Sequence, residues 1–150
     1  MIQRIQSVYL FLVALIASLL YLPSFSFVQS SNGVAKAGIW ADGRFNAYDN
    51  ISLLILTGGI AGIALFTLFM YKNRKAQIKM TYLLMFLIVV VMAIIAWFLY
   101  QNINPPTGEK QAVTVNLGLI IPILTAILVL LARKYIRRDE GIVRSMDRLR

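Results

Sequence analysis

The sequence contains no cysteine and no histidine. That excludes disulfides, thiolate nucleophiles, Cys/His zinc sites and His-ligated haem together. Charge is scarce as well, at 14% of residues against about 25% in ordinary soluble domains. The scarcity is concentrated in four long runs with no Asp, Glu, Lys or Arg at all: residues 8–27, 51–71, 80–100 and 113–132. Proton- and ion-coupled carriers place ionisable groups inside their helices, and selective channels need rings of carbonyls or charges. The four runs offer neither, so coupled transport and ion selection are disfavoured.

What is present is apolar length. Hydrophobic residues make up 59% of the chain, and each run holds 20 or 21 residues. About 20 helical residues at 1.5 Å each cross a 30 Å hydrocarbon core. Only a helix facing lipid needs to be apolar all round for that length. The expected fold is therefore all-α and integral to the membrane: an antiparallel four-helix transmembrane bundle, residues 1–150 forming one membrane domain. The first run exceeds the 7–15 apolar residues usual in a signal peptide, so it is expected to stay as a span.

The fifteen Lys and Arg residues are unevenly placed. Arg4, four residues in the second connector (Lys72, Arg74, Lys75, Lys79) and seven in the tail (133–150) lie on one side. Lys36, Arg44 and Lys110 lie on the other. Basic residues are retained on the cytoplasmic face during insertion, so both termini and the second connector are expected there. The net charge of +9 then needs no nucleic acid to explain it. Lys72, Arg74, Lys75, Lys79, Arg133, Lys134, Arg137 and Arg138 are candidate contacts to anionic lipid headgroups. Aromatics collect at the ends of the runs, with Tyr21, Trp97, Phe98 and Tyr100 at one boundary and Tyr71, Tyr82 and Tyr135 at the other, as in an interfacial belt.

Within the second run, Gly58, Ala61 and Gly62 form a G-x-x-x-G face that lets helix backbones approach closely. Three other helices are available, so packing within the chain is expected ahead of a dimer seam. In the fourth run Pro122, one turn after Gly118, predicts a kink, and Asn116 is expected to bond inside the bundle or to headgroups. The outer segment 28–50 carries two turn dipeptides, Asn32-Gly33 and Asp42-Gly43, which predict a small hairpin or three-strand meander. Trp40, Phe45 and Tyr48 are expected to rest at the lipid interface.

The tail, "RKYIRRDEGIVRSMDRLR", follows the fourth run with no break, so a cytoplasmic C-terminal helix is expected. Ile142, Met146 and Leu149 share one stripe, with Arg144, Arg148 and Arg150 at its rim. The segment 139–150 has three acids and three bases, so lipid attraction explains it poorly. Docking onto the protein's own connector or a partner fits it better.

Three stretches, "MIQRIQSVYLFL", "YKNRKAQIK" and "ARKYIRRDEGIVRSMDRLR", together resemble a family of small four-span inner-membrane proteins of Bacteroidota, domain of unknown function 4293. The resemblance implies a bacterial cytoplasmic (inner) membrane location and implies no activity. From the residues, the expected function is a non-enzymatic membrane subunit or scaffold. It would pack with a larger membrane complex and present a basic face to the cytoplasm. No catalytic, cofactor or metal residues are assigned. The alternatives are a small carrier or lipid-binding protein, or a four-span membrane enzyme of the glutathione- and eicosanoid-metabolising type. The enzyme reading is weakened because the runs lack that group's cofactor-holding arginines.

Overall fold

The computed structural model describes residues 3–30, 43–71, 73–103 and 113–147. In chain order these form α1 (Gln3–Ser18), which continues as a 3₁₀ turn over Leu19–Tyr21, then β1 (Val28–Ser30) and β2 (Arg44–Phe45). A second 3₁₀ turn over Ala47–Asp49 leads into α2 (Ile51–Phe69), followed by α3 (Arg74–Ile103), β3 (Val113–Val115) and α4 (Ile120–Asp147). Helix α1 packs on α2 and α4, and α3 packs on the same two, closing a ring.

Three helical stretches are long and apolar enough to cross a membrane: Ile51–Phe69, Arg74–Gln101 and Leu117–Val143. The first apolar helix, Ile5–Tyr21, is shorter. Large apolar side chains stand on the outside of every helix, among them Phe11 and Leu15, Phe66 and Phe69, Phe86 and Val89, and Ile123 and Ile127. A water-soluble protein rarely exposes apolar surface so continuously. This is a membrane protein.

Ala14, Ile121 and Pro122 are buried, and the other buried positions along the four helices follow one rule. They are Gln6, Leu10, Val13 and Ala17 in α1 with Leu20 in its 3₁₀ continuation, and Leu53, Thr57, Ile60, Ala64 and Thr67 in α2. In α3 they are Gln77, Thr81, Leu84, Ile88, Val91 and Ile95, and in α4 Thr125, Val129, Ala132, Ile136 and Asp139. Steps of four and three alternate throughout, a seven-residue repeat. That period keeps one seam facing its neighbours when helices supercoil with a left hand. Thr57, Thr67, Thr81 and Thr125 return their hydroxyls to carbonyls of their own helix, at 2.7 to 2.8 Å, so none leaves a polar group unpaired in the seam. The space bounded by Ala17, Leu20, Thr57 and Ile60 is about 10 Å³, room for a single water.

At one end the helices are closed by a three-stranded antiparallel sheet in the order β2-β1-β3. Val28 pairs with both Phe45 and Val115. The third strand therefore comes from the segment before α4, not from the first outer segment alone. Gly43 adopts φ +69°, the left-handed conformation expected at the Asp42-Gly43 turn. The Asn32-Gly33 turn and Trp40 lie outside the described residues.

Several expectations need correction. The fourth run is not helical from its start, because Val113–Val115 is a strand and the helix proper begins at Ile120. The first run leaves the helix at Tyr21, and its last residue, Phe27, is instead fully buried just before β1. Phe45 does not lie at a lipid interface; it is fully buried, with its ring 5.6 Å from that of Phe27 and 5.3 Å from that of Phe98. Pro122 falls in the first turn of α4, where a missing N–H costs least, so it marks a helix start and not a kink. Gly118 makes a different close approach: a Cβ there would lie 2.4 Å from the main-chain oxygen of Phe25.

Candidate functional site

The end opposite the sheet is where α1 begins, α2 and α3 meet, and α4 leaves its apolar stretch. Two polar arrangements sit there. The first is a buried layer to which each helix contributes one residue: Gln6, Thr67, Gln77 and Asp139. These are the seam positions at the end of each seven-residue pattern. The short α2–α3 connection brings Gln77 to Thr67, and Gln77 Nε2 donates to the Thr67 carbonyl at 3.0 Å. Asn73 starts α3 by accepting from the Ala76 N–H at 3.1 Å, a side-chain cap that fixes where the helix begins. One turn before Gln77, Arg74 Nη1 donates to the Asp139 carbonyl at 3.1 Å. Tyr9 stacks on Tyr135 with ring centroids 5.5 Å apart. Gln6 and Asp139 each lie about one turn further toward this end, which sets them at the same level. The oxygens Gln6 Oε1, Gln77 Oε1 and Asp139 Oδ2 are buried without a hydrogen-bond partner among the described residues.

Asp139 lies in the charged segment after the fourth apolar run, yet it is 5% exposed. The signal for its burial is in the sequence. Val129, Ala132, Ile136 and Asp139 continue the alternating steps of four and three past Ala132, where hydropathy alone ends the span.

The second arrangement is on the surface. Arg133 and Arg137, one turn apart on α4, both reach Tyr82 on α3. Arg137 Nη2 donates to the Tyr82 hydroxyl at 2.5 Å, and Arg133 Nη2 donates to the same oxygen. The Arg133 guanidinium also lies over the Tyr82 ring, 3.8 Å from its centroid, a favourable cation–π placement.

The other expected lipid contacts divide. Lys75, Lys79, Lys134 and Arg138 are exposed, and Arg74 is half-buried through its bond to α4. Lys72 lies outside the described residues. In the tail, α4 runs without a break through Gly141 to Asp147, with Ile142 and Val143 exposed. The side chains of Arg144 and Met146, and all of Arg148, Leu149 and Arg150, lie outside the described residues.

The expected glycine face splits in two. A Cβ on Gly58 would lie 2.5 Å from the Tyr21 hydroxyl, which itself donates to the Leu54 carbonyl at 2.7 Å. A Cβ on Gly62 would meet no described atom within 4 Å, and Ala61 packs partly against the core. The close approach at Gly58 is thus to a tyrosine side chain from the turn after α1. Gly58→Leu should destabilise the fold by about 1–3 kcal/mol through overpacking, whereas Gly62→Leu should stay within about 0.5 kcal/mol of the parent. Unfolding of both variants in detergent checks this; equal stabilities would contradict the packing at Gly58.

A family model described as "Domain of unknown function (DUF4293)" matches residues 2–149. The chain belongs to this family. The match spans both polar arrangements and the sheet. No curated protein matches the chain, and no solved structure matches it.

Proposed function

We propose that this protein is a non-enzymatic subunit or scaffold of the bacterial cytoplasmic membrane. All four helices cross the bilayer as an antiparallel bundle, and the protein presents its basic end and C-terminal helix to the cytoplasm. The crossing of α1 is supported by its level with its neighbours. Sixteen α-helical residues and three in the 3₁₀ turn reach about 30 Å. At one end Tyr21 bonds the Leu54 carbonyl of α2, and at the other Gln6 reaches the layer of Thr67, Gln77 and Asp139. Over that length α1 accompanies α2, so a membrane crossed by one is crossed by the other. The charge asymmetry of the connectors supports the orientation.

The observation that carries the scaffold reading is the continuous α4. It extends past the last apolar turn to Asp147 and leaves Ile142 and Val143 exposed. An apolar stripe on a helix whose distal charges balance covers a surface more readily than it binds lipid electrostatically. That surface belongs to another integral membrane protein or complex, with Ile142, Met146 and Leu149 docking and Arg144 and Arg148 at the rim. Deletion of residues 141–150 should leave membrane insertion intact and abolish co-purification of a stoichiometric partner from gentle detergent. If the truncated chain retains every partner of the full-length chain, the scaffold reading fails.

A further inference from the structure

Among the described residues, Arg133 and Arg137 share one neutral acceptor, the Tyr82 hydroxyl. Each guanidinium carries five N–H donors and no acceptor, and one phenolic oxygen satisfies only a small part of that set. The Arg133 Nε is buried and has no partner among the described residues. The Arg137 guanidinium stands 5.8 Å from the Tyr82 ring centroid, beside that of Arg133 at 3.8 Å. The two positive charges are therefore held side by side, where they repel. What completes such a fork is an anion with several oxygens, because planar guanidiniums match phosphate geometry with paired N–H bonds.

The place in the fold narrows the source. Arg133 directly follows Ala132, the last residue of the apolar run, and Tyr82 is exposed on the outer surface of α3. With the helices across a bilayer, this is headgroup depth. Exposed Lys79 lies one turn before Tyr82, and exposed Lys134 lies next to Arg133. Both favour a ligand with net negative charge over a zwitterionic one. The geometry points to a stoichiometric phosphate site built from Arg133, Arg137 and Tyr82, filled in the membrane by the headgroup of an anionic phospholipid. This rests on the membrane reading and not on the partner. Deletion of residues 141–150 leaves all three residues in place, so the two ideas fail separately.

The test uses the full-length chain purified in an uncharged maltoside detergent. Native mass spectrometry counts bound lipid during titration with phosphatidylglycerol, phosphatidylcholine or inorganic phosphate. One phosphatidylglycerol per chain is expected to persist. Arg137→Gln, at an exposed position where folding is not at stake, should weaken it by about tenfold, the loss of one charge-assisted interaction. Arg133→Gln combined with Arg137→Gln should abolish it. Arg44→Gln, which removes one basic charge at the sheet end, should leave it unchanged. Retention by Arg137→Gln at parental strength, an equal loss in Arg44→Gln, or equally tight phosphatidylcholine would overturn the site. Displacement of phosphatidylglycerol by millimolar inorganic phosphate would uphold the phosphate chemistry and overturn the lipid as its source.

Discussion

Replacing Gly118 by valine should cost roughly 2–4 kcal/mol, the sum of an overpacked contact and lost hydrogen bonds. The reason is a joint between the chain leaving α1 and the chain entering α4. The Gly118 N–H donates to the Ser26 carbonyl at 3.0 Å, and the Asn116 N–H donates to the Phe27 carbonyl at 3.1 Å. Asn116 Nδ2 also donates to Ser26 Oγ at 2.7 Å, while its Oδ1 accepts from the Leu117 N–H. A side chain on Gly118 would meet the main-chain oxygens of Phe25 and Ser26 at 2.4 and 2.5 Å. These are backbone atoms, so they cannot swing aside as a flexible side chain would. Moving them would pull Val28 out of register with Val115 and disturb the buried Phe27. Even Gly118→Ala should fall well below the parent in detergent unfolding. Stability within about 0.5 kcal/mol of the parent, the range of neutral substitutions, would contradict the joint.

The same joint shows where hydropathy stops being informative. Residues 22–27 and 113–119 are apolar enough to extend the flanking helices, and a helix span was the natural expectation for both. They are instead turn in the first and strand followed by a 3₁₀ turn in the second, because a short apolar stretch cannot be told from a helix turn by its composition. Pro122 carried the correction, since a proline suits a helix's first turn far better than its interior. Asn116 carried it too, as an N-terminal capping residue of the turn over Leu117–Leu119. Phe45 could not have been placed from its neighbours. Its burial comes from pairing with Val28 and from the ring of Phe98, contacts between residues far apart in the chain.

The helix interiors were more legible than their ends. The four apolar runs located all four helices. The alternating steps of four and three that define the seam, with polar members such as Thr57 and Gln77, come from burial in the fold, because runs apolar all round do not mark which residues face inward. That pattern also marks Asp139 as buried, which a hydropathy boundary at Ala132 hides. The clasp of Arg133 and Arg137 on Tyr82 was only half legible. The one-turn spacing of the arginines places them on one face, but nothing in the sequence aligns that face with Tyr82 on a different helix. Gly58 and Gly62 look alike in sequence and differ in the fold because Tyr21 reaches one of them and no described atom approaches the other.

The central claim is that α1 crosses the membrane with the other three helices, so that both chain ends share the cytoplasmic side. Its effect on a labelling experiment is all or none. With no cysteine in the sequence, a single introduced cysteine is the only thiol. A maleimide that cannot cross membranes reports its side directly. The two orientations of α1 differ at the N-terminus: four spans put it with Lys75 and the tail, and three spans put it with the sheet. Gln29→Cys, exposed on β1, should label in intact spheroplasts. Lys75→Cys, exposed at the start of α3, should label only after the membrane is permeabilised. Gln3→Cys is the deciding position. It should stay protected until permeabilisation, as Lys75→Cys does; labelling of Gln3→Cys in intact spheroplasts while Lys75→Cys stays protected would mean that α1 does not cross the membrane.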